Sequence, residues 1–297
     1  VLSALLIAAQ AANVPTQVHI ALAGVDALGW PNSMTISWHT VNSTASSTVK
    51  WGTTPTKLDN VATGTETTYL TAYEHHVRLG VLPASTQVYY VCGDATAGWS
   101  SMRTFTTAPP QASMKSFKAL MWGDMGIFNS EGTREVLYKM GTDMDLLWHI
   151  GDISYADDAF LHYPFEFKYE DIWDTYMTWV ENVTDTTPYM VLPGNHEAEC
   201  HSLPCQLDKT LDLALGNFSA YNHRFSMPSK ESGGVMNMWY SFNYGPVHVI
   251  QMSTEHDWTQ GSEQYLWIEN DLKSVNRTET PWVILTGHRM MYTTQLQ

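Results

Sequence analysis

Leu146-Leu-Trp-His-Ile150 runs directly into Gly151-Asp152-Ile153-Ser154-Tyr155. A short apolar run closed by a glycine reads as a buried strand that turns sharply at its exit. The residues after the turn are an acid and a phenol. The same device recurs three times. Leu120-Met-Trp122 leads to Gly123-Asp124-Met125-Gly126, Val191-Leu-Pro193 to Gly194-Asn195-His196-Glu197, and Val283-Ile-Leu-Thr286 to Gly287-His288. Strands are expected over 117–122, 146–150, 189–192, 247–252 and 282–286. Amphipathic stretches lie between them, such as 262–272, where Tyr265, Leu266, Ile268 and Leu272 share one helix face. That alternation predicts an α/β domain. Strands that end along one edge deliver their loops to a common crevice.

The crevice would receive Asp124, Asp152, Tyr155, Asn195, His196 and His288. These are oxygen and imidazole donors with no thiolate among them, a set that suits a Lewis-acidic or redox-capable first-row metal better than a structural zinc cage. Taken singly the motifs are ordinary. Gly-Asp after a strand is usually a turn or a helix cap, and a lone histidine is usually a satisfied one. Four such loops in this order, each behind an apolar strand, point to a metal centre.

Upstream, from Pro15 to about Thr107, the pattern is different. Gln17-Val-His-Ile-Ala-Leu22, Ser33-Met-Thr-Ile-Ser-Trp38 and Gln87-Val-Tyr-Tyr-Val91 alternate apolar and polar residues between turn clusters. A small antiparallel sandwich is expected, with Trp38 and Tyr90 as core aromatics. Thr107-Ala-Pro-Pro-Gln-Ala-Ser113 reads as the linker.

A chain of 297 residues accommodates both domains, and 30 acidic against 15 basic residues give a formal charge of −15. That balance disfavours nucleic acid, and an anionic substrate must be attracted locally, as a metal ion would do. Residues 1–12 resemble the remnant of a signal peptide, with Ala9-Gln10-Ala11 as cleavage site, and are too short to span a membrane. Glycosylation triplets stand at Asn42, Asn182, Asn217 and Asn276 and favour a secreted protein. Cys200 and Cys205 can close a small loop in an oxidising compartment, which leaves Cys92 over.

The series GDMG, GDISY, GNHE and the strand ending in Gly287-His288 resembles the purple acid phosphatases, within the calcineurin-like metallophosphoesterases. Residues 13–108, opening with Pro15-Thr-Gln-Val-His-Ile-Ala-Leu-Ala-Gly24, resemble that family's fibronectin type III-like domain. Residues 115–297 resemble its α/β catalytic domain, β-sandwich sheets flanked by helices, incomplete at the C-terminus. Asp124-Met-Gly in place of Asp-x-His, together with Tyr155, separates the chain from other metallophosphoesterases. The resemblance implies Fe(III) on Asp124 and Tyr155, a bridge through Asp152, and a divalent iron, zinc or manganese on Asn195 and His288. A phenolate, with an ordinary pKa of about 10, is a natural partner for a trivalent cation. Neutral Asn195 leaves its metal a stronger Lewis acid. The implied reaction is hydrolysis of a small phosphate monoester by a metal-bound hydroxide, with His196 bound to the phosphate or protonating the leaving group.

Glu197 is expected to orient His196, and Asp157 and Asp158 to belong to a solvated loop. His75, His76, His162, His201 and His223 receive no role. The family's later Gly-His-x-His motif does not occur in these 297 residues. The expectation is therefore a C-terminally truncated chain with weak metal retention and little or no activity. A homodimer is admitted by family analogy. The competing readings are a phosphodiesterase or nucleotide pyrophosphatase, which Met125 and Tyr155 disfavour, and a non-catalytic secreted binding protein.

Overall fold

The computed structural model describes residues 13–26, 29–292 and 294, so the signal-like stretch 1–12 lies outside the described residues. The N-terminal part is built from β1 (Thr16–Val25), β2 (Pro31–Thr40), β3 (Thr48–Gly52), β4 (Asn60–Thr63), β5 (Thr65–Tyr69), β6 (Ala72–Arg78), β7 (Gln87–Asp94), β8 (Gly98–Trp99) and β9 (Arg103–Thr106). They form two antiparallel sheets, β1-β2-β6-β5 and β4-β3-β7-β8, with β9 beside β7. The inward side chains alternate as the period of two requires, and Ile36, Trp38, Val49, Val77, Val88 and Tyr90 are buried between the sheets.

Two adjacent strands, β1 and β2, depart from the simple alternation, and β2 is buried throughout from Ser33 to Thr40. Every residue of β1 from Gln17 to Ala23 is buried, the polar ones included. The face expected to meet water packs instead against the second domain. His19 joins the Arg224 carbonyl at 3.0 Å, and the Gln17 carboxamide donates to Asp174 at 2.9 Å.

The second domain contains β10 (Ala119–Trp122), α1 (Glu131–Met140), β11 (Leu146–Ile150), α2 (Tyr169–Thr184) and β12 (Tyr189–Leu192). Four short helices follow between Leu203 and Ser232, then β13 (Tyr240–Tyr244), β14 (Val247–Gln251), α3 (Glu263–Ser274) and β15 (Trp282–Thr286). The expected strands appear with small shifts at their ends, and β13 is an addition, hairpinned to β14 through Gly245-Pro246. The strands divide between two sheets. β10-β11-β12 is parallel throughout, whereas β15 pairs parallel to β14 in a separate sheet with β13. The last metal-type loop therefore arrives from a different sheet than the first three.

Arg224 ties the two domains together. Its side chain is 1% exposed and donates to Tyr69 (2.7 Å), Gln17 (2.7 Å), Glu170 (2.9 Å) and Asp174 (3.0 Å), with Glu74 at 3.4 Å. A guanidinium presents its donors in a fixed fork, so one buried arginine can satisfy acceptors from both domains. Arg103 extends the seam by pairing with Glu181 and Asp185 of the second domain. The Tyr90 hydroxyl adds a bond of 2.7 Å to the Asp185 carbonyl.

Replacing Arg224 with Ala leaves the buried Glu74 carboxylate without its cation. The expected loss is about 3–5 kcal/mol. It would appear as a lower urea midpoint, and an unchanged midpoint would show that the seam contributes nothing.

Candidate metal centre

The loop after β10 lies along the loop after β11, with Asp124, Met125 and Gly126 donating their backbone N–H groups to the carbonyls of Gly151, Asp152 and Ile153 (3.1, 3.2 and 2.9 Å). The parallel ladder thus runs on past the strand ends and fixes Asp124 beside Asp152. Three site residues hold left-handed backbone: Asp124 at φ 52°, Asp152 at 52° and Tyr155 at 57°. For a non-glycine residue this costs of order 1–3 kcal/mol and is commonly found where function requires a set direction.

The glycines contribute more than sharp turns. A Cβ on Gly194 would lie 2.2 Å from the Asp152 carboxylate, and one on Gly151 would lie 2.7 Å from His288 Nδ1. Backbone and side chains from three loops meet here too closely for any side chain to intervene.

Asp152 is the meeting point. Its carboxylate accepts the His196 backbone N–H at 3.0 Å and lies 3.2 Å from His288 Nε2 and 3.3 Å from the Tyr155 hydroxyl. Tyr155 also donates to Asp124 at 3.1 Å. Donor atoms of Asp124, Asp152 and His288 all fall within 4.8 Å of one another. His288 Nδ1 donates to the Ile150 carbonyl at 3.0 Å, so its Nε2 faces the carboxylates. This is the tautomer a metal-binding imidazole adopts. Asn195 opens the short helical turn Asn195–Glu197, directly after Gly194.

The charges are arranged as a cation would require. Burial would raise Asp152, but the His288 hydrogen bond, the His196 N–H and the two imidazole charges hold it below the usual carboxylate range. Burial and the two neighbouring carboxylates push the Tyr155 phenol far up. Burial also lowers His288, yet Asp152 overrides it and carries the imidazole up to about 9. Two carboxylates, a phenol and an oriented imidazole form an oxygen-rich, anion-forming set that matches a hard or borderline metal ion.

Two expectations change here. Asp157 does not belong to a solvated loop: it is 0% exposed, and its Oδ2 accepts Nδ1–H from both His196 and His201 at 2.8 Å. Its loop folds back under the Gly194–Glu197 turn, a long-range closure that carries no local signature. Asp158 stays partly exposed, 3.7 Å from His196. Glu197 points away from His196 and accepts backbone N–H groups of Asp152 (2.9 Å), Ile153 (2.7 Å) and Gly194 (2.7 Å). His196 is oriented by Asp157 instead. Burial lowers His196, but Asp157, Asp152 and Asp158 outweigh it and take it up to about 9.

The other residues singled out in the sequence lie elsewhere. His75 stacks on Trp38 inside the sandwich, His76 bonds Ser37 and the His223 carbonyl, and His162 stacks on Phe128. Cys200 and Cys205 are bridged, while Cys92 is buried and unbridged, its thiol pushed up to about 12 by burial. Asn42, Asn182, Asn217 and Asn276 are all exposed.

Residues 15–107 match the family model for the purple acid phosphatase N-terminal domain, and residues 117–296 match that for calcineurin-like phosphoesterases. Probable purple acid phosphatase 20 of Arabidopsis thaliana is 36% identical over 285 residues, covering 94% of this chain and 59% of the relative. Acid phosphatase type 7 of Danio rerio is 34% identical over 303 residues, again 94% and 59%. The chain thus spans about three fifths of the length of these curated relatives. The solved purple acid phosphatase PPD1 of yellow lupin (Lupinus luteus) superposes with a TM-score of 0.73 at 23% identity, covering 93% of this chain and 51% of that one, and so shares its fold.

Glu197 supplies the next prediction. Replacing it with Ala strands three buried N–H donors at the base of the site. We expect a loss of about 3–5 kcal/mol in chemical denaturation. A loss below about 1 kcal/mol, within the net worth of one hydrogen bond, would show that the loops hold without it.

Proposed function

The chain belongs to the purple acid phosphatases, and from that membership we propose that its site hydrolyses small phosphate monoesters at acid pH, with Fe(III) and a divalent iron, zinc or manganese as cofactors. The observation that carries this reading is the convergence of Asp124, Asp152, Tyr155 and His288, from loops of two different sheets, on one point. In this assignment Asp124 and Tyr155 would hold the ferric ion, Asn195 and His288 would hold the divalent ion, and Asp152 would serve both. Two such ions supply Lewis acidity toward the phosphoryl oxygens and an activated water at neutral or acid pH.

The chain's own residues supply orientation and a proton. His196 Nδ1 is committed to Asp157, so Nε2 is the atom directed at the site, 3.8 Å from Asp152. An imidazole raised to about 9 carries a proton on Nε2 at acid pH. It can donate a hydrogen bond to a phosphate oxygen, or pass that proton to the departing alcohol oxygen. Asp152 is held low and so remains ionised in the same range, which suits work in acid.

Residues 13–108 then form the family's accessory sandwich and 115–297 its catalytic domain. Exposed acceptor asparagines and the Cys200–Cys205 bridge support a secreted protein. Among the described residues no helix is long and apolar enough to cross a membrane.

Loading the protein with Fe(III) tests the assignment. A broad visible absorption band is expected, and Tyr155→Phe should abolish it. Absence of the band, or its survival in Tyr155→Phe, would overturn the placement of Tyr155 on iron. Hydrolysis of an alkyl phosphate well above that of a phosphodiester is expected from the loaded protein, and the reverse preference would favour a diesterase.

Metal uptake should also release protons. His288 holds its Nε2 proton below about 9, so a metal must displace it there. Affinity should therefore fall as pH falls, by about tenfold per pH unit for each proton displaced. Calorimetry of metal binding in buffers of different ionisation enthalpy would count those protons, and a count of zero would contradict the ligand role of His288.

A further inference from the structure

We propose that His201 is a positioning residue for His196, acting through the shared carboxylate of Asp157. The inference rests on the phosphatase reading only for what His196 does; the arrangement itself is independent of it.

Asp157 is fully buried, and its two oxygens are used unequally. Oδ2 accepts Nδ1–H from His196 and Nδ1–H from His201, each at 2.8 Å, while Oδ1 has no hydrogen-bond partner. Both separations are ordinary charge-assisted hydrogen-bond lengths. A buried carboxylate with one donor could turn about its terminal torsion and present either oxygen, because that torsion is broad. Two donors converging on Oδ2 from different directions remove that freedom. His201 therefore fixes which oxygen His196 meets, and where. Since Nδ1 is the anchored end of the His196 ring, this also fixes the direction of Nε2, the end that faces Asp152 and lies beside Tyr155, with ring centroids 4.2 Å apart.

His201 is itself well held. Its Nε2 lies 3.1 Å from Glu199, and its carbonyl accepts from Gln206 at 2.9 Å. Its neighbour Cys200 is bridged to Cys205, which closes a loop of sequence separation 5 around it. The bridge, His201 and Asp157 form a short rigid path from the surface to His196. His201 itself is 41% exposed on its side chain, so replacing it does not open the core.

The test compares His201→Leu, which keeps bulk and removes the donor, with His201→Asn, whose amide nitrogen stands close to the place of Nδ1. In the metal-free protein labelled with 15N-histidine, the His196 Nδ1–H resonance should persist in His201→Asn and shift and broaden by exchange in His201→Leu. In the metal-loaded protein, His201→Leu should lower kcat/KM for an alkyl phosphate about tenfold, with metal content unchanged, and His201→Asn should restore most of it. An unmoved His196 resonance in His201→Leu, or equal losses in the two variants, would overturn the proposal. If the resonance responds as expected while the unsubstituted, loaded protein neither binds inorganic phosphate nor hydrolyses a phosphate ester, the positioning role stands and the phosphatase reading falls.

Discussion

The site depends on one buried carboxylate that is not itself among the metal-type donors. Glu197 gathers the backbone N–H groups of Asp152, Ile153 and Gly194, and so draws the loop after β12 onto the loop after β11. Burial and the charge of Asp152 push Glu197 up to about 7, against the three backbone N–H groups that favour its ionised form. With those two loops joined, Gly194 can touch the Asp152 carboxylate, His196 can donate its backbone N–H to it, and Asn195 follows at once in the chain. The left-handed turns at Asp124, Asp152 and Tyr155 then set those side chains around the joined loops, with Asp152 buried and Asp124 at the exposed edge.

Much of this was legible in the sequence, for a physical reason. An apolar run ending in glycine is a local pattern, and so is the residue that follows it. Asp124, Asp152, Tyr155, Asn195 and His288 could therefore be named from short windows. The strands behind them appeared where their apolar runs stand, at 146–150, 189–192 and 282–286. The two-sheet division was not legible from spacing, because a strand carries no record of which neighbour it pairs with. Asp157 looked like a solvated loop residue, since acid pairs such as Asp157-Asp158 usually face water. Its burial follows from His196 and His201, both supplied by a turn some forty residues further along the chain. His201 had no signal except its place beside Cys200.

The polar alternation of β1 marks a strand but does not reveal what covers its outer face. Gln17 and His19 occupy the face that a two-layer sandwich would leave wet, and the second domain covers that face. Alternation reports only that two faces differ. It cannot distinguish a face that meets water from one that meets hydrogen-bonding groups of another domain. Arg224, among the most buried charges in the chain, belongs to the same category: its partners come from β1, β5, β6 and α2 together.

This seam bears on how the two domains can be inherited. A domain that meets its neighbour through a flexible linker and a small wet contact can be cut, copied and rejoined elsewhere with little penalty. Here the sandwich lends a whole strand face to its neighbour, and a guanidinium from the neighbour completes the sandwich's own buried acid. Separated, each half would expose a patch of unpaired charge set in apolar surface. The pair should therefore persist through evolution as one indivisible unit, and its linker should drift in sequence more freely than the strand it leads away from.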